Sequence, residues 1–151
     1  MFSIFKKNTS NTLSPVNGQL IPLSDVSDPV FSQGMIGPGF AVKPTSDVLY
    51  SPVRGIITSV FPTKHAIALE TVEGKEILIH IGIDTVELNG EGFDILVSEA
   101  NKVTPETKLA IVDRAYLEER GKESTIMVLF PNNSDIYSIE AKTVKAGNVI
   151  I

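Results

Sequence analysis

The sequence contains no cysteine and no tryptophan, and only two of its 151 residues are histidines. Without cysteine there can be no disulfide, thiolate zinc site or cysteine nucleophile, and the composition fits a reducing compartment. No apolar run approaches the roughly 20 residues that a membrane-spanning helix needs. The formal net charge of -5 is the opposite of the basic excess that nucleic-acid binding requires. We therefore expect an acidic, globular, cytoplasmic protein that does not bind nucleic acid.

The chain divides into a flexible tail over residues 1–12 and a single domain over residues 13–151. The apolar residues Phe2, Ile4 and Phe5 precede Lys6-Lys7, which reverses the order found in a secretory signal. One interpretation of this segment is a frayed terminus. The other is a weak surface anchor, whose apolar side chains enter lipid while the lysines meet anionic headgroups. The second interpretation would place the protein peripherally at the membrane.

Short β-prone runs alternate with Gly, Pro, Asn and Asp at intervals of about eight to twelve residues, a rhythm typical of an all-β sandwich or barrel. The nine prolines oppose long helices. We therefore predict an all-β, antiparallel, sandwich-like or barrel-like fold with one or two short helices. The predicted strands are residues 18–23, 39–42, 55–61, 66–71, 76–81, 108–112, 125–130 and 136–140.

One short helix is predicted over residues 115–120. Asp113 can cap its N-terminal end and Gly121 can end it. A further helical turn or two is predicted near residues 93–99.

The chain repeats itself weakly. Ser14-Pro15-Val16-Asn17-Gly18 recurs as Ser51-Pro52-Val53-Arg54-Gly55, and each copy precedes a β-prone run. Residues 103–111 and 144–151 also share a valine, a polar turn and an aliphatic run. Two related β units packed together explain both repeats, and chance or common turn chemistry is the competing explanation.

The two histidines, His65 and His80, flank a predicted β-hairpin. Glu73-Gly74 separates two β-prone runs, which predicts a two-residue loop. In that register His80 lies opposite Ile67, and His65 is its diagonal neighbour on the same face, about 7–8 Å away. A one-residue shift in register would put the two imidazoles on opposite faces.

The residues around His80 suit a nucleophilic imidazole. Aliphatic neighbours over residues 77–81 disfavour the charged form of the ring through desolvation, and a neutral ring nitrogen is a good nucleophile toward an activated phosphoryl group. His65 can support the transferred group by hydrogen bonding or charge, and Thr63 can orient His65. Histidines that only satisfy hydrogen bonds at strand ends explain the same pattern equally well at this point.

The sequence around His80 resembles that of a known protein family. Residues 76–88, Glu-Ile-Leu-Ile-His-Ile-Gly-Ile-Asp-Thr-Val-Glu-Leu, and then Gly-Glu-Gly-Phe at 90–93, resemble the active-site segment of the glucose-family IIA component. That component belongs to the bacterial phosphoenolpyruvate:sugar phosphotransferase system. The resemblance extends from about residue 14 to the end of the chain. Three further stretches agree: 25–31, 37–44 and 52–66.

The resemblance implies a role for each site residue. His80 would accept a phosphoryl group from the small histidine-containing phosphocarrier protein and pass it to the IIB domain of a sugar permease. His65 would stabilise that group, and Thr63 would orient His65. In the family the phosphate is carried on Nε2, no cofactor is needed beyond the transient phosphoryl group on His80, and the fold is an antiparallel β-sandwich built from a duplicated hybrid motif.

The family also implies a docking surface, an apolar depression with an acidic rim that meets a basic partner. Without the family, the apolar members would be interpreted as core and the acids as solvated surface. We expect a monomer, because one face must meet successive partners. The tail leaves no room for fused IIB or IIC domains, so we expect those on separate chains. The matching residues are Asp28, Val30, Phe31, Ile36, Phe61, Leu78, Asp84 and Val86.

Two alternatives differ in class from the phosphoryl carrier. The first is a regulatory binding protein whose targets, transporters or kinases, respond to the phosphoryl charge of about -1.5 to -2. The second is a zinc hydrolase, but catalytic zinc usually needs three protein ligands, so Asp84 would have to join His65 and His80. We expect no metal site in the chain alone, and zinc at the two histidines only if a partner supplies a further ligand.

Overall fold

The computed structural model describes residues 11–151, and in that part of the chain the strands form two antiparallel sheets. The larger sheet has eight strands in the order β11-β1-β2-β10-β6-β5-β4-β8, and the smaller has the order β3-β9-β7. The predicted antiparallel β-sandwich is confirmed. The strands are β1 (Gly18–Pro22), β2 (Gly39–Pro44), β3 (Val48–Tyr50), β4 (Gly55–Val60), β5 (Ala66–Thr71), β6 (Glu76–Ile81), β7 (Phe93–Ile95), β8 (Lys102–Val103), β9 (Lys108–Val112), β10 (Ile126–Leu129) and β11 (Lys142–Val144).

The two α-helices are short, and each begins at a capping aspartate. The predicted helix is α2 (Arg114–Glu119), where the Asp113 carboxylate accepts a hydrogen bond from the Tyr116 backbone N–H at 3.1 Å. The first helix, α1 (Pro29–Ser32), was not predicted; Asp28 accepts from the Val30 N–H at 2.9 Å. Two 3₁₀ helices, Leu23–Asp25 and Thr85–Leu88, complete the set.

Two local predictions are wrong. Residues 93–99 contain strand β7, paired with β9, where helical turns were expected. Residues 136–140 form no strand, and the last strand of the described chain is β11 instead. Ile136 is 94% exposed, so its β-prone side chain does not pack against a sheet. Strands of two or three residues, such as β8 and β11, are too short to show a hydrophobic period.

The repeated motif forms two equivalent turns. In both copies the serine hydroxyl is buried and donates to the carbonyl two residues later: Ser14 to Val16 at 2.8 Å and Ser51 to Val53 at 2.6 Å. The copies also exchange hydrogen bonds, since the Leu13 N–H donates to the Pro52 carbonyl. The Tyr50 N–H donates to the Pro15 carbonyl in the same way.

The strands that follow the repeated motif pair in the same way. Gly18 of β1 lies opposite Val144 of β11, and Gly55 of β4 lies opposite Val103 of β8. Two copies of one β unit therefore pack together, as the sequence repeat predicts, and common turn chemistry alone does not explain the equivalent pairing.

The central strands of the large sheet are buried on both faces. All four residues of β10 are buried, and they alternate between two clusters. Ile126 and Val128 join the main core between the sheets. Met127 and Leu129 join a second cluster beneath α1 and the first 3₁₀ helix. This second cluster borders the histidines, so the outer face of the sheet carries the candidate site.

Most of the predicted tail, residues 1–10, lies outside the described residues. The predicted surface anchor within residues 1–7 lies outside them entirely. Thr12 is buried, and its N–H donates to the Ile151 carbonyl at 2.9 Å. In residues 11–151 no helix is long and apolar enough to cross a membrane.

Candidate active site

His80 lies on the outer face of β6, opposite the main core. Strand alternation sends Ile77, Ile79 and Ile81 into the core, so His80 faces the other way with Leu78. Its neighbours across the sheet are Ala66 on one side and Met127 on the other. The small side chain of Ala66 leaves room for the imidazole. On the outer side the ring packs against Phe31, with ring centroids 4.7 Å apart.

The hydrogen bond to Gly82 determines which nitrogen of His80 is nucleophilic. Nδ1 of His80 lies 2.8 Å from the Gly82 carbonyl oxygen. A carbonyl only accepts, so in the neutral ring the proton is on Nδ1 and the lone pair is on Nε2. Burial lowers the pKa of His80 to about 4, against the smaller raising effect of the Gly82 bond. At neutral pH the residue is therefore an uncharged imidazole with a reactive Nε2.

His65 lies beside His80 and is itself anchored. The two ring centroids are 5.0 Å apart with planes at 76°, and Nδ1 of His65 shares a hydrogen bond of 2.6 Å with the Thr63 hydroxyl. His65 is 9% exposed, and burial lowers its pKa. The Phe61 ring packs edge to face with His65, with ring centroids 5.6 Å apart. Three predicted site residues, Thr63, His65 and His80, are thus adjacent.

The predicted register of the histidine hairpin is wrong. His80 lies opposite Ala66, not Ile67, because the loop has three residues, Val72–Gly74, not two. Gly74 has a φ of 89° and its N–H donates to the Thr71 carbonyl, as in a turn that ends in a left-handed glycine. This one-residue shift would place the histidines on opposite faces of a regular ladder.

A backbone irregularity brings the rings together nonetheless. His65 precedes the first paired residue of β5, and Lys64 just before it has a left-handed φ of 62°. The Lys64 N–H donates to the Phe61 carbonyl at 2.7 Å, which closes a tight turn. The His65 carbonyl still accepts a hydrogen bond from the Ile81 N–H at 2.7 Å, but because Lys64 breaks the extended backbone just before it, the His65 ring can lie on the same side as His80.

The predicted docking residues differ in their relation to the two histidines. Phe31 and Phe61 contact the histidine rings, and Leu78 packs with Ile36 against the cluster beneath α1. The charges of the two predicted rim carboxylates, Asp28 and Asp84, both act to raise the pKa of His80. The remaining two side chains are exposed on two separate helices: Val30 by 41% on α1 and Val86 by 47% on the 3₁₀ helix Thr85–Leu88.

Two contributions to the position of His80 were not predicted from the sequence. Gly82 supplies the carbonyl that holds His80, and it needs a φ of 82° to do so; the glycine two residues after His80 was the available signal. Met127 lies directly opposite His80 in the sheet, and no local pattern could have paired residues so far apart in the chain. Among residues 11–151 no group of three or more His, Cys, Asp and Glu side chains is placed to hold a metal ion.

Comparison with known proteins identifies the family of this chain. The family described as phosphoenolpyruvate-dependent sugar phosphotransferase system, EIIA 1, matches residues 10–136. The chain belongs to this family. It is therefore a component of a sugar phosphotransferase system.

Relatives and a solved structure agree with the assignment. The chain is 43% identical over 137 residues to the glucose-specific EIIA component of Oceanobacillus iheyensis, covering 91% of this chain and 82% of the relative. It is 41% identical over 145 residues to the glucose-specific EIICBA component of Streptococcus pneumoniae, covering 96% of this chain. It spans only 20% of that longer protein. Glucose permease IIA from Mycoplasma capricolum has a similar fold, with a TM-score of 0.88, 36% identity and coverage of 99% and 97% of the two chains.

Proposed function

We propose that the chain is a phosphohistidine carrier of the sugar phosphotransferase system. It takes a phosphoryl group from the histidine-containing phosphocarrier protein onto Nε2 of His80 and passes it to the IIB domain of a permease. The observation that carries the proposal is the 2.8 Å contact between Nδ1 of His80 and the Gly82 carbonyl, because it leaves Nε2 as the nucleophile. No resident cofactor takes part, and the sugar itself is not a substrate of this chain.

The transfer is a displacement at phosphorus. The Nε2 lone pair of His80 forms the new N–P bond while the N–P bond of the donor breaks, and that electron pair returns to the donor imidazole. Bonding to phosphorus makes the His80 ring cationic, and the Gly82 carbonyl stabilises the Nδ1–H of that cation. In this scheme the Thr63 hydroxyl donates to Nδ1 of His65, with which it shares a 2.6 Å hydrogen bond, so the ring proton of His65 is on Nε2 and can be donated to a phosphoryl oxygen. Transfer of this kind depends on positioning and charge stabilisation.

The surface around the histidines suits this exchange. Val30, Phe61 and Val86 are exposed apolar side chains that a partner can cover, and Asp28 and Asp84 add negative potential beside them. Complementary charge speeds encounter and sets orientation. A basic phosphocarrier in the cytoplasm is the expected donor. The relatives named glucose-specific make a glucose permease the first IIB domain to test as acceptor.

Labelling tests the proposal. Incubation with labelled phosphoenolpyruvate, enzyme I and the phosphocarrier should give an acid-labile, alkali-stable label on the wild type and none on His80→Ala. His65→Gln is the matched variant: it should accept label but release it poorly to the IIB domain. An unlabelled wild type, or a fully labelled His80→Ala, would refute the carrier role.

A second, compatible function is phosphorylation-dependent regulation of transporters or kinases. Phe61, one of the exposed apolar residues that would meet a regulatory partner, contacts His65, whose ring lies beside the His80 ring that becomes charged. A dianionic phosphoryl group there repels an apolar or acidic partner. Pull-downs with phosphorylated and unphosphorylated protein should therefore recover different partners, and equal recovery in both states would argue against a switch.

A further inference from the structure

Thr85 follows the active-site turn and is completely buried, with 0% exposure. Its hydroxyl donates a hydrogen bond of 2.5 Å to the carbonyl of Ile81, the last residue of β6. A buried hydroxyl must find a partner, and this one bonds across the turn that contains Gly82. The bond therefore joins the two ends of the Ile81–Thr85 turn.

The methyl group of Thr85 packs against Gly82 itself. A Cβ atom added to Gly82 would lie 2.4 Å from Cγ2 of Thr85 and 2.8 Å from the Glu123 carbonyl oxygen. On the same side as Glu123, the Gly82 N–H donates to the Thr125 carbonyl at 2.8 Å. The Gly82 peptide is thus enclosed between Thr85 and residues 123–125, and its carbonyl has little freedom to turn away from His80.

We propose that Thr85 is a positioning residue for His80: its hydroxyl and methyl group together hold the Gly82 carbonyl against Nδ1 of His80. The consequence is that the proton of the neutral ring stays on Nδ1 and the lone pair stays on Nε2. The effect on phosphoryl transfer rests on the proposed function, whereas the effect on the tautomer does not.

The arrangement parallels the anchoring of the other histidine. Thr63 holds Nδ1 of His65 directly through its hydroxyl. Thr85 acts on Nδ1 of His80 through an intervening carbonyl. Misplacing a reacting group by about 1 Å can cost roughly 100-fold in rate, so a loosened carbonyl has a measurable consequence.

Three variants test the inference. Thr85→Val keeps the shape and removes the hydroxyl, whereas Thr85→Ser keeps the hydroxyl. Thr71→Val is the matched control, because Thr71 is also buried and its hydroxyl also bonds the backbone across a turn, accepting from the Lys75 N–H at 3.0 Å. Nitrogen-15 NMR of the His80 ring reports the tautomer, and labelling from the phosphocarrier reports the acceptance rate.

In Thr85→Val we expect the Nε2–H tautomer of His80 to appear and acceptance to fall by roughly 10-fold to 100-fold. Thr85→Ser should recover most of the Nδ1–H form, and Thr71→Val should lose stability without changing either readout. An unchanged tautomer and rate in folded Thr85→Val would overturn the inference. If Thr85→Val does not fold, Thr85→Ala gives the same comparison against Thr85→Ser. A wild type that takes no phosphoryl group would refute the carrier function, while the tautomer would still decide the role of Thr85.

Discussion

The imidazoles of His65 and His80 lie edge to face, with ring centroids 5.0 Å apart. Each ring has its Nδ1 nitrogen engaged, by Thr63 in one case and by Gly82 in the other. The two Nε2 nitrogens are therefore the ones that can meet an incoming phosphoryl group. Two imidazolium charges this close would repel, and the charge of His65 indeed acts to lower the pKa of His80.

The lowered pKa of His80 predicts that the protein loses stability in acid. Burial lowers the pKa of His80 from 6.5 to about 4, so between these values the unfolded chain binds a proton at His80 that the folded chain does not. The free energy of unfolding must then fall as the pH drops through this window, by up to roughly 3 kcal/mol from this residue. Urea unfolding at about pH 7 and about pH 4.5 should show a smaller loss for His80→Gln than for the wild type. The two proteins share all carboxylates, so equal losses would mean that His80 titrates normally.

The bond between Thr63 and His65 predicts a defect in the release of the phosphoryl group. Thr63→Val removes the hydroxyl that orients His65, and the rate of transfer to the IIB domain should fall roughly 10-fold, the equivalent of one hydrogen bond of about 1.4 kcal/mol. Thr63→Ser retains the hydroxyl and should transfer nearly as fast as the wild type. Rapid-quench measurement of label leaving the protein distinguishes the two. If Thr63→Val released the label as fast as the wild type and Thr63→Ser do, Thr63 would have no part in transfer.

Local signals in the sequence predicted an element correctly where a single residue type determines the local backbone geometry. Strands β5, β6 and β9 begin and end where their β-prone runs do, and the helix capped by Asp113 forms as its cap predicts. The repeated serine motif, which buries the same hydroxyl bond in each copy, identified the duplication. The site residues were predicted from the resemblance to the family. That resemblance carries information about residues far apart in the chain, which hydrophobic periodicity does not.

The register of the histidine hairpin could not be predicted because it depends on one backbone angle. Glu73-Gly74 suits a two-residue loop, yet Gly74 takes its left-handed φ of 89° as the third residue of a longer loop. The error was then offset by Lys64, whose φ of 62° is uncommon for a residue with a side chain. Nothing in the residue type of Lys64 signals that conformation. Such strain persists only where the surrounding structure enforces it.

Two glycines with nearly the same backbone angle should respond differently to alanine. Gly74 has a φ of 89°, and a Cβ there would have only the Glu70 carboxylate nearby, at 3.8 Å. Gly74→Ala should therefore cost only the left-handed conformation, roughly 1 kcal/mol. At Gly82 the Cβ would also clash with Thr85 at 2.4 Å, which adds roughly 1–3 kcal/mol. Denaturant midpoints measure both variants, and only Gly82→Ala should also lose phosphoryl acceptance.

The acidic rim predicts a salt-dependent docking rate. Asp28→Asn and Asp84→Asn remove charge with little change in structure, because asparagine caps helices as well as aspartate does and tolerates the left-handed φ of 60° at position 84. Acceptance from the phosphocarrier should slow by roughly 3-fold to 10-fold at low ionic strength, and the difference should vanish near about 1 M salt, where the screening length is about 3 Å.

Glu106→Gln controls for net charge alone. Glu106 is exposed in the turn after β8, an edge strand of the large sheet that lies three strands from β6, so its removal changes the total charge equally but not the charge beside His80. It should leave the rate nearly unchanged at every salt concentration. The rim variants should also lower the pKa of His80 further, since both carboxylates act to raise it, and an NMR titration of the ring measures this separately from docking. If Glu106→Gln slowed acceptance as much as Asp84→Asn did, docking would depend on net charge and not on the rim.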